Sequence, residues 1–195
     1  MEKPATLLAI DIAYADNGAA DAAANAATNA TTNGNNKHAY AAGVVFHDWS
    51  DDKPEKTCIS HISDVAEYVP GEFYKRELPC ILQLLAEHDV QPDCIIIDGY
   101  VYLDGSSQPG LGWHLYQALG GKVAIIGVAK SSFSAIDTSF GICRGDSIKP
   151  LYITSIGMDQ STAQASIAAM HGSFRIPTLL KLVDQLCREA VDKPA

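Results

Sequence analysis

Apolar residues fall first in short unbroken runs and later at helical spacing. The runs at 5–14 (ATLLAIDIAY), 39–49 (AYAAGVVFHDW) and 57–64 (TCISHISD) predict three strands able to pair as a meander. Phe73, Leu78, Ile81, Leu82 and Leu85 recur at helical spacing, which predicts a helix from Gly71 to Glu87. Pro79 suits the first turn of such a helix better than its interior. A strand at 94–98, a helix at 110–119 and a strand at 123–129 follow. A hairpin is expected from about 138–144 to 150–154, and helices at about 159–171 and 177–191 close the chain. A meander followed by alternating helices and strands predicts one mixed α/β sheet with helices on both faces.

Two stretches break this regularity. Residues 16–37 are, apart from Lys37, Ala, Asn, Thr, Gly and Asp, with too little apolar surface to offset ordering entropy. The expectation is a long mobile hairpin loop, with a short Ala-rich helix around 19–27 as the alternative. Elsewhere, the run Cys94-Ile95-Ile96-Ile97 stops at Asp98-Gly99. A strand apolar on both faces is covered on both sides, and ligands collect at the carboxyl ends of such strands. Asp-Gly at a strand end also serves as a plain turn.

Composition narrows the field. At 195 residues, 47% hydrophobic and 19% charged, the chain predicts one domain over 1–195 with a substantial core. No apolar run approaches a membrane span and the first residues do not read as a signal peptide. The five cysteines (58, 80, 94, 143, 187) show no CxxC spacing, so they read as free thiols of a reducing cytoplasm. A monomer is expected. The net charge of −9 opposes tight nonspecific binding to nucleic acid, which needs clustered cations.

Three acids carry the candidate chemistry. Asp11 interrupts an apolar strand, Glu77 lies in the first helix and Asp98 ends the fourth strand. A carboxylate inside an apolar strand is costly to bury unless paired or bound to a cation. Three carboxylates converging from separate elements would need a metal, and oxygen-only ligands suit Mg²⁺ or Mn²⁺. Such ions serve phosphoryl chemistry by activating water and stabilising charge on the departing oxygen. The spacing leaves open that the three acids are unrelated.

At this point several motifs occur in order: AIDIAY at 9–14, YVPG and RELP within 68–79, IIIDG at 95–99, GLGWHL at 110–115, IGVAKS at 126–131 and KPLYIT at 149–154. With FRIPTLLKLVDQL in the final helices, this set resembles the endonuclease V family over most of the chain. The resemblance implies a ribonuclease-H-like fold and Mg²⁺-dependent hydrolysis of a phosphodiester near deaminated purine, chiefly inosine, in DNA or RNA. It implies that Asp11, Glu77 and Asp98 bind metal, and that Lys130 lies near the scissile phosphate. Tyr68, Val69, Pro70 and Gly71 would form a wedge beside the lesion, and His114 would join the substrate-binding residues.

The chain departs from the family pattern where a phosphate backbone should pass. A His-Pro-Arg stretch is replaced by Tyr100 to Ser107, which includes Asp104. A Gly-His-x-x-Ser motif is Gly157-Met158-Asp159-Gln160-Ser161, and Glu67 stands where the wedge usually opens with proline. The leading expectation is a metal-dependent endonuclease. The alternatives are a nuclease for single-stranded RNA, with Tyr68, Tyr100 and Tyr102 as stacking faces, and a catalytically weak or inactive nucleic-acid-binding accessory protein.

Overall fold

Strands that are apolar on both faces need cover on both sides, and the chain supplies it with two helix pairs. The computed structural model describes residues 4–15, 38–63, 65, 66, 69, 72–133 and 136–193. Seven strands form one sheet: β1 (Leu7–Ala15), β2 (His38–Phe46), β3 (Lys56–Ile62), β4 (Cys94–Asp98), β5 (Ala124–Ala129), β6 (Gly141–Ile142) and β7 (Leu151–Ile156). Their order is β3-β2-β1-β4-β5-β7-β6. β1, β2 and β3 pair antiparallel as the expected meander, while β1, β4 and β5 run parallel. This is the mixed sheet that the sequence pattern predicts, in the ribonuclease-H-like form that the resemblance implies.

The two-residue alternation along each strand builds two cores. Leu8, Ile10, Ile95, Ile97 and Ile125 pack under α1 (Tyr74–His88) and α2 (Leu111–Ala118). Leu7, Ala9, Ile96, Ile126 and Val128 pack under α3 (Gln160–Ala169) and α4 (Thr178–Asp192). Ile95 and Ile126 are fully buried, each worth about 1.5–3 kcal/mol relative to exposure.

Two local expectations change. Pro79 lies in the interior of α1, not in its first turn. It is exposed, as is Lys75 four residues earlier, so the carbonyl that loses its partner lies on the solvent side. The expected strand at 138–144 is only Gly141–Ile142, preceded by a 3-10 turn at Thr138–Phe140. The Asp137 side chain accepts from the backbone N–H of Ser139 at 2.8 Å, a local bond that competes with the ladder. The tract 16–37 lies outside the described residues; β1 and β2 pair as far as Ala15 and His38 at its two ends. No helix among the described residues is long and apolar enough to cross a membrane.

The end of β4 explains why Asp98 is followed by glycine. Gly99 has φ of +135°, a conformation that L side chains rarely adopt, and it turns the chain back over β5. Gly99 N–H donates to Val128 O at 3.1 Å, and Val101 N–H donates to Thr154 Oγ1 at 2.8 Å. Beneath this crossing, a Cβ on Gly127 would lie 2.6 Å from Gly99 O and 2.8 Å from Thr154 Oγ1. Gly127→Ala therefore overpacks a crossing of backbones. Urea unfolding is expected to show a loss of about 1–3 kcal/mol; unchanged stability would mean that the turn does not rest on β5 as closely as described.

Candidate active site

Strand register places the first two acids side by side. β1 and β4 pair in parallel from Leu7 with Cys94 to Ile10 with Ile97, so one further step sets Asp11 beside Asp98. Neighbouring strands lie about 4.8 Å apart, and alternation turns both carboxylates towards the α4 side. On β5, Asp98 pairs with Val128, and Lys130 follows two residues later on the same face. Lys130 Nζ donates to Asp98 Oδ2 at 2.7 Å. α4 crosses this face and adds Asp184. Asp11, Asp98, Lys130 and Asp184 line one narrow cleft floored by Ile96 and Val128.

Burial and like charge decide protonation here. The Asp11 carboxyl is pushed up to about 7, first by burial and then by Asp98, with Asp184 adding to the repulsion. The Ile12 N–H, donating to Asp11 Oδ1 at 2.9 Å, offsets part of this. Burial drives Glu77 well above the usual carboxylate range, and Asp11 and Asp98 raise it further. Arg76 and a hydrogen bond from Tyr14 oppose that shift, and the Arg76 guanidinium sits 3.6 Å from the centre of the Tyr14 ring. Burial also disfavours the charge on Lys130, yet Asp98, Asp11 and Asp184 together hold its ammonium above the ordinary lysine value.

The remaining sequence candidates divide. Glu77 is buried on α1, which packs on the opposite face of the sheet, and it does not line the cleft. Its field reaches Asp11 and Asp98; its carboxylate meets Tyr14 instead. His114 stacks on Tyr74 with ring centroids 3.5 Å apart, bracing α2 against α1 away from the cleft. Burial lowers its proton affinity, which suits a packed neutral ring. Val69 is exposed and accepts the Glu72 N–H at 2.9 Å just before α1. Tyr68, Pro70, Gly71 and Glu67 lie outside the described residues. Asp104 is not a bare acid on the surface. Its Oδ1 accepts the N–H groups of Ser106, Ser107 and Gln108, and Oδ2 accepts the Ser107 hydroxyl, which holds its carboxyl far below the usual range.

Sequence reasoning missed Asp184. On an amphipathic helix an aspartate reads as a solvated position, and an i,i+4 ion pair with Arg188 at 3.2 Å fits that reading. The available signal was its place at the border of the apolar stripe, four residues after Leu180 and next to buried Val183.

The donor chemistry fits a hard dication, since the carboxylates repel one another and Asp11 retains a proton for want of positive charge. Among the described residues, however, no group of three or more His, Cys, Asp or Glu side chains is gathered as a ligand set. The side-by-side pair of Asp11 and Asp98 is the part of the expected triad that shares the cleft.

Comparison with known proteins decides the family. The endonuclease V family profile matches residues 8–158. The chain belongs to the endonuclease V family. It is 29% identical to endonuclease V of Nocardia farcinica over 175 residues, covering 77% of this chain and 74% of that protein. It is 30% identical to endonuclease V of Streptomyces avermitilis over 161 residues, covering 70% of this chain and 66% of that protein. The crystal structure of a Streptomyces avermitilis endonuclease V superposes with a TM-score of 0.71 at 25% identity, covering 98% of this chain and 84% of the other. Endonuclease V of Ciona intestinalis, in complex with a 24mer DNA containing an inosine followed by a ribo-adenosine, superposes at 0.73 with 15% identity. That match covers 99% of this chain and 88% of the other and is a likeness of fold.

The raised Asp11 value sets the pH dependence of stability. Folded Asp11 keeps a proton that the unfolded chain releases near pH 4, so metal-free stability falls as pH rises from about 4 to about 7. Asp11→Asn keeps an oxygen acceptor for Ile12 and removes this share of the slope. Urea midpoints near pH 4.5 and pH 8 are expected to converge in the variant, with a gain of about 2–4 kcal/mol at the higher pH. A variant less stable than wild type at about pH 8 would contradict the burial of an uncompensated charge.

Proposed function

We propose that the protein is a metal-dependent endonuclease that hydrolyses a phosphodiester near deaminated purines, inosine above all, in DNA or RNA during repair or processing. The observation that carries this reading is the convergence of Asp11, Asp98 and Lys130 on one cleft at the carboxyl ends of parallel strands. Family membership supports the nuclease class. The inosine-containing DNA bound to the Ciona intestinalis protein supports the substrate. The free cysteines, four of them buried, agree with a cytoplasmic enzyme, and a monomer is the simplest form.

Mg²⁺, or Mn²⁺ in its place, fits the Asp11–Asp98 pair. Mg²⁺ is commonly held by one or two carboxylates, with waters and substrate phosphate oxygens completing its shell. Glu77 would add its field to this pair, and Asp184 would flank it in the cleft. A dication bound there supplies an activated water and neutralises charge on the reacting phosphate. The chain does the rest. Asp98 keeps Lys130 protonated and aimed into the cleft, where the ammonium offers positive charge to the phosphodiester. Ile96 and Val128 form an apolar floor beneath this pair. The segment from Tyr68 to Gly71, which leads into α1, is assigned to wedge beside the lesion. His114 acts through packing, by fixing α1 and therefore Glu77.

Cleavage assays on inosine-containing and inosine-free DNA and RNA, at low salt with and without Mg²⁺, test this reading. The expected result is metal-dependent cutting near inosine. Asp98→Ala should lower the rate by roughly 10³-fold, because metal-assisted charge stabilisation is worth several kcal/mol, while the fold persists. Undiminished cutting by Asp98→Ala, or equal cutting in a chelator, would overturn the assignment.

A further inference from the structure

The narrow cleft opens sideways into a crevice of about 560 Å³, with Lys130 and Asp184 on the border between them. Ile176 and Leu180 form an apolar floor, while Arg175, Lys181, Asp146 and Phe174 stand around it. Its charged lining residues are three cations and two acids, in a chain with 14 cations and 23 acids. The local balance is therefore the reverse of the global one.

Phe174 is 74% exposed on this rim. A single exposed apolar side chain needs no explanation by itself. The backbone behind this one is nevertheless held on all sides. Arg144, itself buried, donates to Phe174 O at 2.8 Å, to Gly172 O at 3.2 Å and to Met170 O. Arg175 Nη2 donates to Pro150 O at 2.7 Å and to the carbonyl oxygen of Lys130. A buried guanidinium is committed to the loop that presents an aromatic ring to solvent, and the next residue ties that loop to the catalytic lysine. Such preorganisation lowers the entropy lost when a ligand stacks on the ring.

We propose that this crevice is a subsite for one unpaired nucleotide flanking the scissile phosphate, with its base stacked on Phe174 and its phosphate facing Lys181. The proposal deepens the nuclease reading and rests on it for the word scissile. The volume lies in the range of small-ligand pockets. An aromatic face beside cations is the combination that binds single-stranded nucleic acid with little regard to sequence, because every base offers a π-face. The subsite requires the strand to be unpaired on this side of the cut. It also sets three cations against two acids beside the cleft, in a chain whose net charge is −9.

Fluorescence anisotropy with a labelled, inosine-free single strand at low salt, with EDTA present, tests the subsite without cleavage. Its perfectly paired duplex is the comparison. Phe174→Ala should weaken single-strand binding by roughly 10-fold and leave duplex binding within about twofold. Phe174→Trp should retain single-strand binding. Lys181→Ala should weaken it and reduce the log-log salt slope by roughly one contact, ~0.7 for a single strand. Melting temperatures of the Phe174 variants should match wild type, since the ring is largely outside the core. Binding by Phe174→Ala equal to wild type, equal losses on single strand and duplex, or no binding by the wild type would each overturn the proposal. Stacking on Phe174 by a protein that never cuts would sink the nuclease reading and leave the binding site. Cutting indifferent to Phe174 would do the reverse.

Discussion

Two carboxylates held side by side at the ends of buried parallel strands repel each other, and the surrounding architecture answers that repulsion. Asp11 and Asp98 are set there by strand register, so neither can move away without breaking the sheet. Lys130 offsets Asp98 directly, Arg76 and Tyr14 offset Glu77 behind the sheet, and Arg188 pairs with Asp184 at the outer edge. Asp11 remains undercompensated and keeps a proton up to about pH 7. A fold of this kind stores unfavourable electrostatics at one point, and a divalent cation bound there would relieve it.

That tension was partly legible in the sequence. An aspartate in LLAIDIAY and another ending CIIID conflict with their apolar surroundings, and such conflicts mark sites. The strands were legible for the same reason, since two-sided burial leaves unbroken apolar runs. Glu77 was legible only through the resemblance, because an acid near a helix start has ordinary reasons to be there. Asp184 was only faintly legible, as an acid bordering the apolar stripe of α4, because its place in the cleft depends on where that helix crosses the sheet. β6 shrank to two residues because Asp137 turns the backbone locally, a contest that apolar pattern does not register.

The Tyr100–Ser107 segment shows how composition misleads when geometry is missing. Read as charge, Asp104 subtracts from a surface that should attract phosphate. In the fold it organises its own turn, accepting three backbone N–H groups and a hydroxyl, while Leu103 N–H donates to Gln108 O at 2.8 Å. Tyr100 likewise looks outward in sequence yet donates its hydroxyl to Ser131 O at 2.6 Å and accepts from Phe133 N–H, fixing the strand end that bears Lys130. The segment therefore braces the site as much as it faces a substrate. Three cations, Lys130, Arg175 and Lys181, line the neighbouring crevice together.

In the proposed site, Asp11 and Asp98 await a cation at the mouth of one cleft. Thermal unfolding with increasing Mg²⁺, run at several pH values, tests it most directly. A ligand bound to the folded state alone raises stability by about 2.7 kcal/mol at a hundredfold excess over its Kd. The account predicts a Tm that rises with Mg²⁺ above about pH 7, a rise that shrinks as Asp11 takes up its proton, and no rise in Asp11→Asn/Asp98→Asn. A Tm indifferent to Mg²⁺ at every pH, or raised equally in that double variant, would contradict it.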